Sequence, residues 1–141
     1  MSRVQDIIQE RELFHVAQSE TVLAVSQRMA ELHVGAIVVL DEGRLKGVFS
    51  ERDLMKRVVL EHRDPAVTSV GQVMSTALAT IDELATLAEA MEAMQQHNCR
   101  HLPVIRGSNV VGFLSMRDLM TFELARKTEE LHHMQSYIAG S

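Results

Sequence analysis

The chain has 141 residues, of which 46% are hydrophobic and 4% aromatic, and it carries a formal net charge of −5. Its size suits one compact domain or two small halves that share a core, and its acidic balance with few aromatic side chains argues against a nucleic-acid-binding protein. The apolar runs are shorter than the roughly 20 residues that span a bilayer, and the N-terminal stretch MSRVQDIIQERE is charged, so we expect a soluble, cytoplasmic protein without a membrane partner.

The first elements predicted along the chain are a short strand near LFHV and a helix that begins after Thr21. Thr21 is a suitable N-cap residue. The apolar residues of the helix recur at the spacing of one helix face: Val22, Val25, Met29 and Leu32. Two β-rich runs, AIVVL and LKGVFS, then flank the polar stretch DEGR and predict a β-hairpin.

A second helix is predicted to begin at Ser50. Four of its apolar residues are expected to face the core: Leu54, Met55, Val58 and Val59. Pro65 and its polar neighbours end this helix and predict a linker.

The same pattern recurs 65 residues later. Adding 65 takes Ser50 to Ser115 and Asp53 to Asp118, and GAIVVLDEGRLKGVFS lies over RHLPVIRGSNVVGFLS without a gap. The second copy has a strand near LATI, a hairpin from LPVI and VVGFLS, and a helix after Thr86 with four apolar residues on one face: Leu87, Ala90, Met91 and Met94. A register held for about 40 residues indicates two copies of one supersecondary unit. Each unit is too small for a core of its own, so we expect the copies to pack on each other about a pseudo-twofold axis.

The C-terminal helix is predicted to run on from Asp118 and to be longer than the repeat unit needs. Its apolar residues Leu124, Leu131 and Ile138 lie seven residues apart, with Met134 on the same side. Such a stripe either docks on its own module or pairs with another copy of the chain. Of the two, self-association as a homodimer is the preferred interpretation.

The motif SxRD at Ser50 and at Ser115 allows two interpretations. The serine and the acid three residues later resemble a capping box, which stabilises a helix start by about 1 kcal/mol. The same groups can bind a nucleotide, because the free NH groups and hydroxyl of a helix start suit a phosphate and the carboxylate suits a ribose diol. Arg52 and Arg117 supply cationic groups for the phosphate.

The tandem repeat, read as VGAIVVLDEGRLKGVFSERDL and then NCRHLPVIRGSNVVGFLSMRDL, resembles the cystathionine-β-synthase (CBS) domain pair, or Bateman module. The resemblance covers residues 4 to 125. It implies an α+β fold of tandem βαββα repeats with a long C-terminal helix after them. The expected organisation is repeat 1 at 1–62, a linker at 63–69, repeat 2 at 70–125 and a helical extension at 126–141. It also implies two clefts that bind adenosine-containing ligands such as AMP, ADP, ATP, S-adenosylmethionine or NAD.

Carried over by position, the resemblance implies that Asp53 and Asp118 bind ribose and that Ser50 and Ser115 lie near the phosphate. It also implies that strand backbone groups contact the adenine, at these positions: Ala36, Ile37, Val38, His101, Leu102 and Pro103.

Three further positions suggest that the two clefts differ. Arg100 matches a basic residue that family members often have before the strand, whereas the first copy has Gly35 there. Ser75 matches a Ser or Thr that often lines the cleft, whereas the first copy has Gln9 or Glu10, depending on where a one-residue slip is placed. We therefore expect two similar clefts of unequal affinity.

No catalytic or metal set is evident. The stretch HNCRH at 97–101 holds two histidines and Cys99, but it spans a predicted helix-to-strand junction without an evident fourth ligand. The serines of SxRD have no evident histidine partner, and Cys99 is interpreted as a small buried residue. We therefore expect a stand-alone regulatory module, not an enzyme, that needs no cofactor and passes ligand occupancy to an unidentified partner. The alternative is a structural or dimerisation module that binds no ligand.

Overall fold

The computed structural model describes residues 2–140, which form two three-stranded sheets and the helices around them. The first half contains α1 (Val4–Ile8), β1 (His15–Val16), α2 (Val22–Leu32), β2 (Ala36–Asp41), β3 (Arg44–Ser50), α3 (Glu51–Asp53) and a π-helix (Leu54–Val59). The second half contains α4 (Val70–Val73), β4 (Ile81–Asp82), α5 (Leu87–Gln96), β5 (His101–Arg106), β6 (Asn109–Ser115) and α6 (Met116–Ala139).

The two sheets have the same topology, which confirms the predicted α+β tandem repeat. Their strand orders are β1-β2-β3 and β4-β5-β6, each with one parallel pair followed by an antiparallel hairpin. The register shifts at equivalent points, between Val39 and Leu40 and between Val104 and Ile105. In the first hairpin Glu42 and Gly43 both have positive φ, 52° and 76°, as a two-residue turn compatible with strand twist requires.

Both predicted threonine caps are present. The Thr21 hydroxyl accepts a hydrogen bond from the Ala24 amide at 3.1 Å, and the Thr86 hydroxyl accepts one from the Glu89 amide at 3.1 Å. Thr86 and Glu89 form a full capping box, because the Glu89 carboxylate also accepts from the Thr86 amide. The local signals therefore located both helix starts correctly.

The helix after Ser50 departs from the prediction. Val58 is 1% exposed and Leu54 packs against the core, but Met55 and Val59 are 51% and 61% exposed and do not face inwards as expected. After α3 the backbone bonds run from residue i to i+5, as between the Leu60 amide and the Met55 carbonyl at 3.0 Å. The α-helical spacing assumed in the prediction therefore does not apply to this segment.

Each core includes a segment from the other copy. Val70, Val73 and Met74 belong to the first hydrophobic cluster, with β2, β3 and α2. Val4 and Ile8 belong to the second cluster, with β5, β6 and α5. The N-terminal segment of each copy therefore packs into the core of the other copy, and these two contacts join the halves. This arrangement matches the expected pseudo-twofold packing.

The C-terminal helix α6 has 24 residues and extends beyond the module. Leu124, Leu131 and Met134 are between 60% and 69% exposed, so this apolar stripe does not dock on its own module. Among residues 2–140, no helix is long and apolar enough to cross a bilayer.

Candidate functional site

Both SxRD motifs form capping boxes, so the structural interpretation holds in each copy. The Ser50 hydroxyl accepts from the Asp53 amide at 3.2 Å, while the Asp53 carboxylate accepts from the Ser50 amide at 3.0 Å. The corresponding distances for Ser115 and Asp118 are 3.0 Å and 2.8 Å. What distinguishes the two motifs is therefore their surroundings.

A cleft of about 1480 Å³ lies beside the second motif, between the two halves of the molecule. Six predicted site residues line it: Ala36, Arg100, His101, Ser115, Arg117 and Asp118. Pockets that hold small ligands have volumes of roughly 300–1,000 Å³, so this cleft has room for a nucleotide. These six positions, which were named from the SxRD motif and from the family resemblance, therefore lie together along one cleft.

Asp118 faces an arginine that the sequence analysis did not single out. Arg11 Nη1 lies 3.0 Å from Asp118 Oδ2, and the two side chains are 47% and 20% exposed. Burial acts to raise the pKa of the Asp118 carboxyl, but hydrogen bonds from Arg11 and Ser115, with the nearby Arg11 charge, together hold this pKa below its ordinary value. Asp118 is therefore an anion that a cation already neutralises.

His101 and Phe113 both line the cleft. Their rings stack at a centroid distance of 5.2 Å with an interplanar angle of 20°. Burial lowers the pKa of His101 below its ordinary value, and the opposing charges of Asp118 and Glu51 do not restore it. At neutral pH this side of the cleft is a neutral aromatic surface suited to a planar base.

The first motif has a closed environment. The Asp53 side chain is 8% exposed, and its Oδ1 accepts a hydrogen bond from the Ser75 hydroxyl at 2.9 Å. Arg57 Nε lies 3.8 Å from the same Oδ1, and Arg57 Nη1 donates to the Met74 carbonyl at 2.8 Å. Ser75, which the sequence placed in the second-copy cleft, thus lies against the acid of the first copy.

The remaining predicted residues lie outside the lining of the open cleft. Arg52 is exposed. Four of the others are strand residues with buried side chains: Ile37, Val38, Leu102 and Pro103. The structure therefore brings the predicted set together in two groups, one around Asp118 in the open cleft and one around Asp53 in the interior.

Sequence reasoning missed Arg11 and Arg57 for different reasons. Arg57 follows Asp53 by four residues, and an acid and an arginine at that spacing lie on one helix face, so a local signal existed. Arg11 and Asp118 are 107 residues apart and no local pattern relates them.

The stretch HNCRH spans the junction between α5 and β5, as predicted. In the described part of the chain, no group of three His, Cys, Asp or Glu side chains is placed to hold an ion. Cys99 is partly buried beside the second core, and burial raises the pKa of its thiol. A protonated thiol is a poor nucleophile, which agrees with the structural interpretation of Cys99.

Comparison with known proteins identifies the fold family. The CBS domain model matches residues 4–60 and 70–125. The chain is 32% identical over 128 residues to the CBS domain-containing protein YhcV of Bacillus subtilis (strain 168), covering 91% of this chain and 90% of that protein. A protein with CBS domains from Burkholderia ambifaria MC40-6 superimposes with a TM-score of 0.83 at 29% identity, covering 88% of this chain and 95% of that one.

A more distant structure shares the fold. The CBS domain pair of protein MJ0100, in complex with 5′-methylthioadenosine and S-adenosyl-L-methionine, has a TM-score of 0.79 at 16% identity and covers 89% of this chain and 98% of its own. With both repeats matched by the family model and both sheets in the same arrangement, the chain belongs to the CBS domain family.

Proposed function

We propose that the protein is a regulatory module that binds an adenosine-containing ligand in the open cleft beside Asp118 and passes occupancy to a partner protein. The candidate ligands are AMP, ADP, ATP, NAD and S-adenosylmethionine. The observation that carries the proposal is the convergence of an ionised carboxylate, a capped helix start and the cations Arg11, Arg100 and Arg117 on one cleft of sufficient volume. The adenosyl complex of the similarly folded MJ0100 domain pair supports the ligand class.

Each group has a role that its chemistry allows. Asp118 accepts hydrogen bonds from the two ribose hydroxyls, because an ionised carboxylate is an acceptor with about four lone-pair positions. The Ser115 hydroxyl and the Arg117 guanidinium bind phosphate oxygens. The Met116 and Asp118 amides of the helix start already donate to the Arg100 carbonyl and to the Ser115 hydroxyl. His101 and Phe113 provide the flat surface for the adenine.

Arg11 links binding to a change in shape. Its guanidinium group contacts Asp118 at 3.0 Å, where the ribose would bind, so it must move when a ligand enters. A phosphate is a suitable new partner for it, because guanidinium binds phosphate and carboxylate with the same fork of donors. Arg11 lies between α1 and β1, so its movement would shift a segment exposed to partner proteins.

The test is thermal denaturation and calorimetry of purified protein with each candidate ligand. At 100 times its dissociation constant, a ligand stabilises the folded state by about 2.7 kcal/mol. We expect at least one ligand to raise the melting temperature at millimolar concentration, and Asp118→Asn to remove most of that increase. If none of the five does so, the nucleotide proposal is wrong and the alternative of a ligand-independent interaction module is favoured.

We further propose that the protein is non-catalytic and cytoplasmic. The relatives reported above are described by their CBS domains, and the Ser115 hydroxyl in the cleft belongs to a helix cap. The single cysteine cannot form an internal disulfide, which suits a reducing compartment.

We also propose that α6 pairs with α6 of a second chain to form a homodimer. Leu124, Leu131 and Met134 are exposed, and burial of such an apolar stripe against another surface would stabilise the helix. The stripe residues Met120, Leu124, Leu131 and Met134 follow the spacing of a coiled-coil seam. A second copy offers the same spacing and therefore a complementary surface.

The charge of Lys127 favours an antiparallel pair. Lys127 falls at a seam position between Leu124 and Leu131, so two parallel helices would place it against its own counterpart. In an antiparallel pair it lies opposite the apolar Leu131 of the second chain and near Glu130 on that helix, an opposite charge. The like-charge contact is then avoided.

Light scattering after size-exclusion chromatography tests this arrangement. We expect a dimer for the unmodified protein and a monomer for Leu131→Glu, which places a charge in the seam. Ser136→Glu is the matched control, because it adds the same charge on the opposite helix face and should leave the dimer intact. A monomeric unmodified protein, or equal effects of both variants, would contradict α6 pairing.

A further inference from the structure

We propose that the first-copy motif is not a second ligand site but an internal tie between the two repeats, so that each chain binds a single nucleotide. The four residues of this Asp53 tie are Ser50, Asp53, Arg57 and Ser75. The predicted stoichiometry rests on the proposed nucleotide binding, whereas the structural role of the tie does not.

Three of the roughly four acceptor positions of the Asp53 carboxylate are already used. Its Oδ2 accepts from both the amide and the hydroxyl of Ser50, each at 3.0 Å, and its Oδ1 accepts from the Ser75 hydroxyl at 2.9 Å. A ribose diol would need two acceptor positions on this carboxylate and would have to displace Ser75. Asp118 accepts from Ser115 in the same way, but the group that it meets across the cleft is the side chain of Arg11, without a hydroxyl donor like Ser75 among the hydrogen bonds of the described residues. The two arginines are similarly exposed, 47% for Arg11 and 51% for Arg57, so the difference lies in Ser75 and in the exposure of the two carboxylates, 20% for Asp118 and 8% for Asp53.

The space beside Asp53 is also filled. The Val48 and Ser75 backbones exchange two hydrogen bonds, of 3.0 Å and 2.9 Å, which bring the segment after α4 against β3. Gly47 permits this approach, because an added Cβ would lie 2.6 Å from Met74 Sδ and 2.7 Å from the Ser75 carbonyl oxygen. At the equivalent of Val48, Phe113 lines the open cleft instead.

Arg57 adds a further contact between Asp53 and the segment that contains Met74. Its guanidinium group donates to the Met74 carbonyl at 2.8 Å while its Nε faces Asp53 at 3.8 Å. It thereby connects the helix that follows the first motif to the N-terminal segment of the second repeat. The residue at the equivalent position of the second copy is Phe122, which packs against the second core and supplies no such cation.

The tie therefore joins the two repeats through contacts made within the chain. It places a cation and a hydroxyl donor on the carboxylate, and both come from within the chain. Since Ser75 belongs to the second repeat and Asp53 to the first, loss of the tie should loosen the packing between the repeats.

The experiment compares Asp53→Asn with Asp118→Asn by thermal denaturation and by calorimetric titration with AMP and with ATP. For the unmodified protein we expect one nucleotide per chain. Asp53→Asn should keep that stoichiometry and an affinity within about twofold, but lose about 6 °C or more of melting temperature because a buried acceptor is replaced by a donor facing Arg57. Asp118→Asn should lose at least tenfold in affinity and less than about 3 °C in melting temperature.

Two nucleotides per chain, or a loss of affinity in Asp53→Asn equal to that in Asp118→Asn, would overturn the inference. If neither AMP nor ATP binds, the nucleotide proposal for these ligands fails and the melting temperatures alone decide the tie. Equal losses in the two variants would then overturn it, and a larger loss in Asp53→Asn would support it.

A second pair of variants serves if Asp53→Asn does not fold. Ser75→Ala removes one donor to Asp53 and should lower the melting temperature by about 3 °C or more. Thr76→Ala is its matched control, because Thr76 is the exposed neighbouring residue. Equal melting temperatures for these two variants would contradict the tie.

Discussion

The carboxylates of Asp53 and Asp118 hold equivalent positions in the two repeats, yet their side chains are 8% and 20% exposed. Each accepts a capping hydrogen bond from the serine three residues before it. The difference arises from the segment that the other repeat places opposite. Ser75 and the Met74 carbonyl meet the first motif, and Arg11 meets the second. A motif thus fixes its own helix start, while its availability to a ligand depends on distant residues.

The largest expected effect on stability concerns Gly47 and Gly112, which allow close approach of Met74–Ser75 and of Ile8, respectively. Gly47→Ala should lower the free energy of unfolding by about 3 kcal/mol, because the new methyl group would meet the Ser75 backbone carbonyl as well as Met74. Gly112→Ala should cost less, about 1.5 kcal/mol, because the atoms that its new methyl group would meet all belong to the Ile8 side chain. The nearest of them, the terminal methyl at 2.6 Å, can rotate away, and the other two, at 3.1 and 3.2 Å, need a shift of only a few tenths of an ångström. Urea denaturation measures both.

An equal loss of unfolding free energy in the two variants would show that the contact of Gly47 with Met74 and Ser75 is no tighter than the contact of Gly112 with Ile8. The asymmetry between the closed and the open cleft would then need another origin.

A smaller effect should follow from Arg11→Gln. If Arg11 moves from Asp118 to a phosphate, this variant should bind AMP about tenfold more weakly, a loss of about 1.4 kcal/mol, while it binds adenosine at least as well as the unmodified protein. Calorimetric titration with both ligands measures the difference. Arg28→Gln, at an exposed position on α2, is the control and should change neither affinity.

Equal weakening of AMP and adenosine by Arg11→Gln would contradict a phosphate contact. Arg11 would then stabilise the shape of the ligand-free cleft without contacting the phosphate of a bound ligand.

The smallest expected effect is a pH dependence from His101. Its pKa is lowered by burial, so the unfolded chain takes up a proton before the folded protein does, and stability should fall as pH decreases below about 6.5. The lowered pKa of Asp118 acts in a separate window, since its stabilising effect is present above about pH 4 and is lost as pH falls through the folded-state value.

Urea denaturation midpoints at pH 7.5 and 5.5 measure the stability change in the pH range of His101, above the range of Asp118. His101→Phe should reduce the difference between the two midpoints, whereas His15→Gln, at an exposed position of β1, should retain it. An unchanged difference in His101→Phe would mean that another group titrates in this window.

Much of the fold was readable from short spacings. Thr21 and Thr86 cap helices where predicted, and both hairpins form at the predicted polar breaks. The inward orientation of Met55 and Val59 was wrong, because the choice of i to i+5 bonding there is not visible in an apolar pattern. The residues around Asp118 were named from the motif, but the position of Ser75 beside Asp53 depends on how the repeats exchange segments.

The sequence by itself determined the repeat, the capped helix starts and the serine and acid of each motif. These depend on contacts within a few residues, where the geometry of a helix or hairpin leaves few alternatives. Only the tertiary structure decided that Asp53 is enclosed by Ser75 and Arg57 while Asp118 faces an open cleft and Arg11. Those contacts join segments far apart in the chain, and packing of the exchanged segments into the two cores sets them.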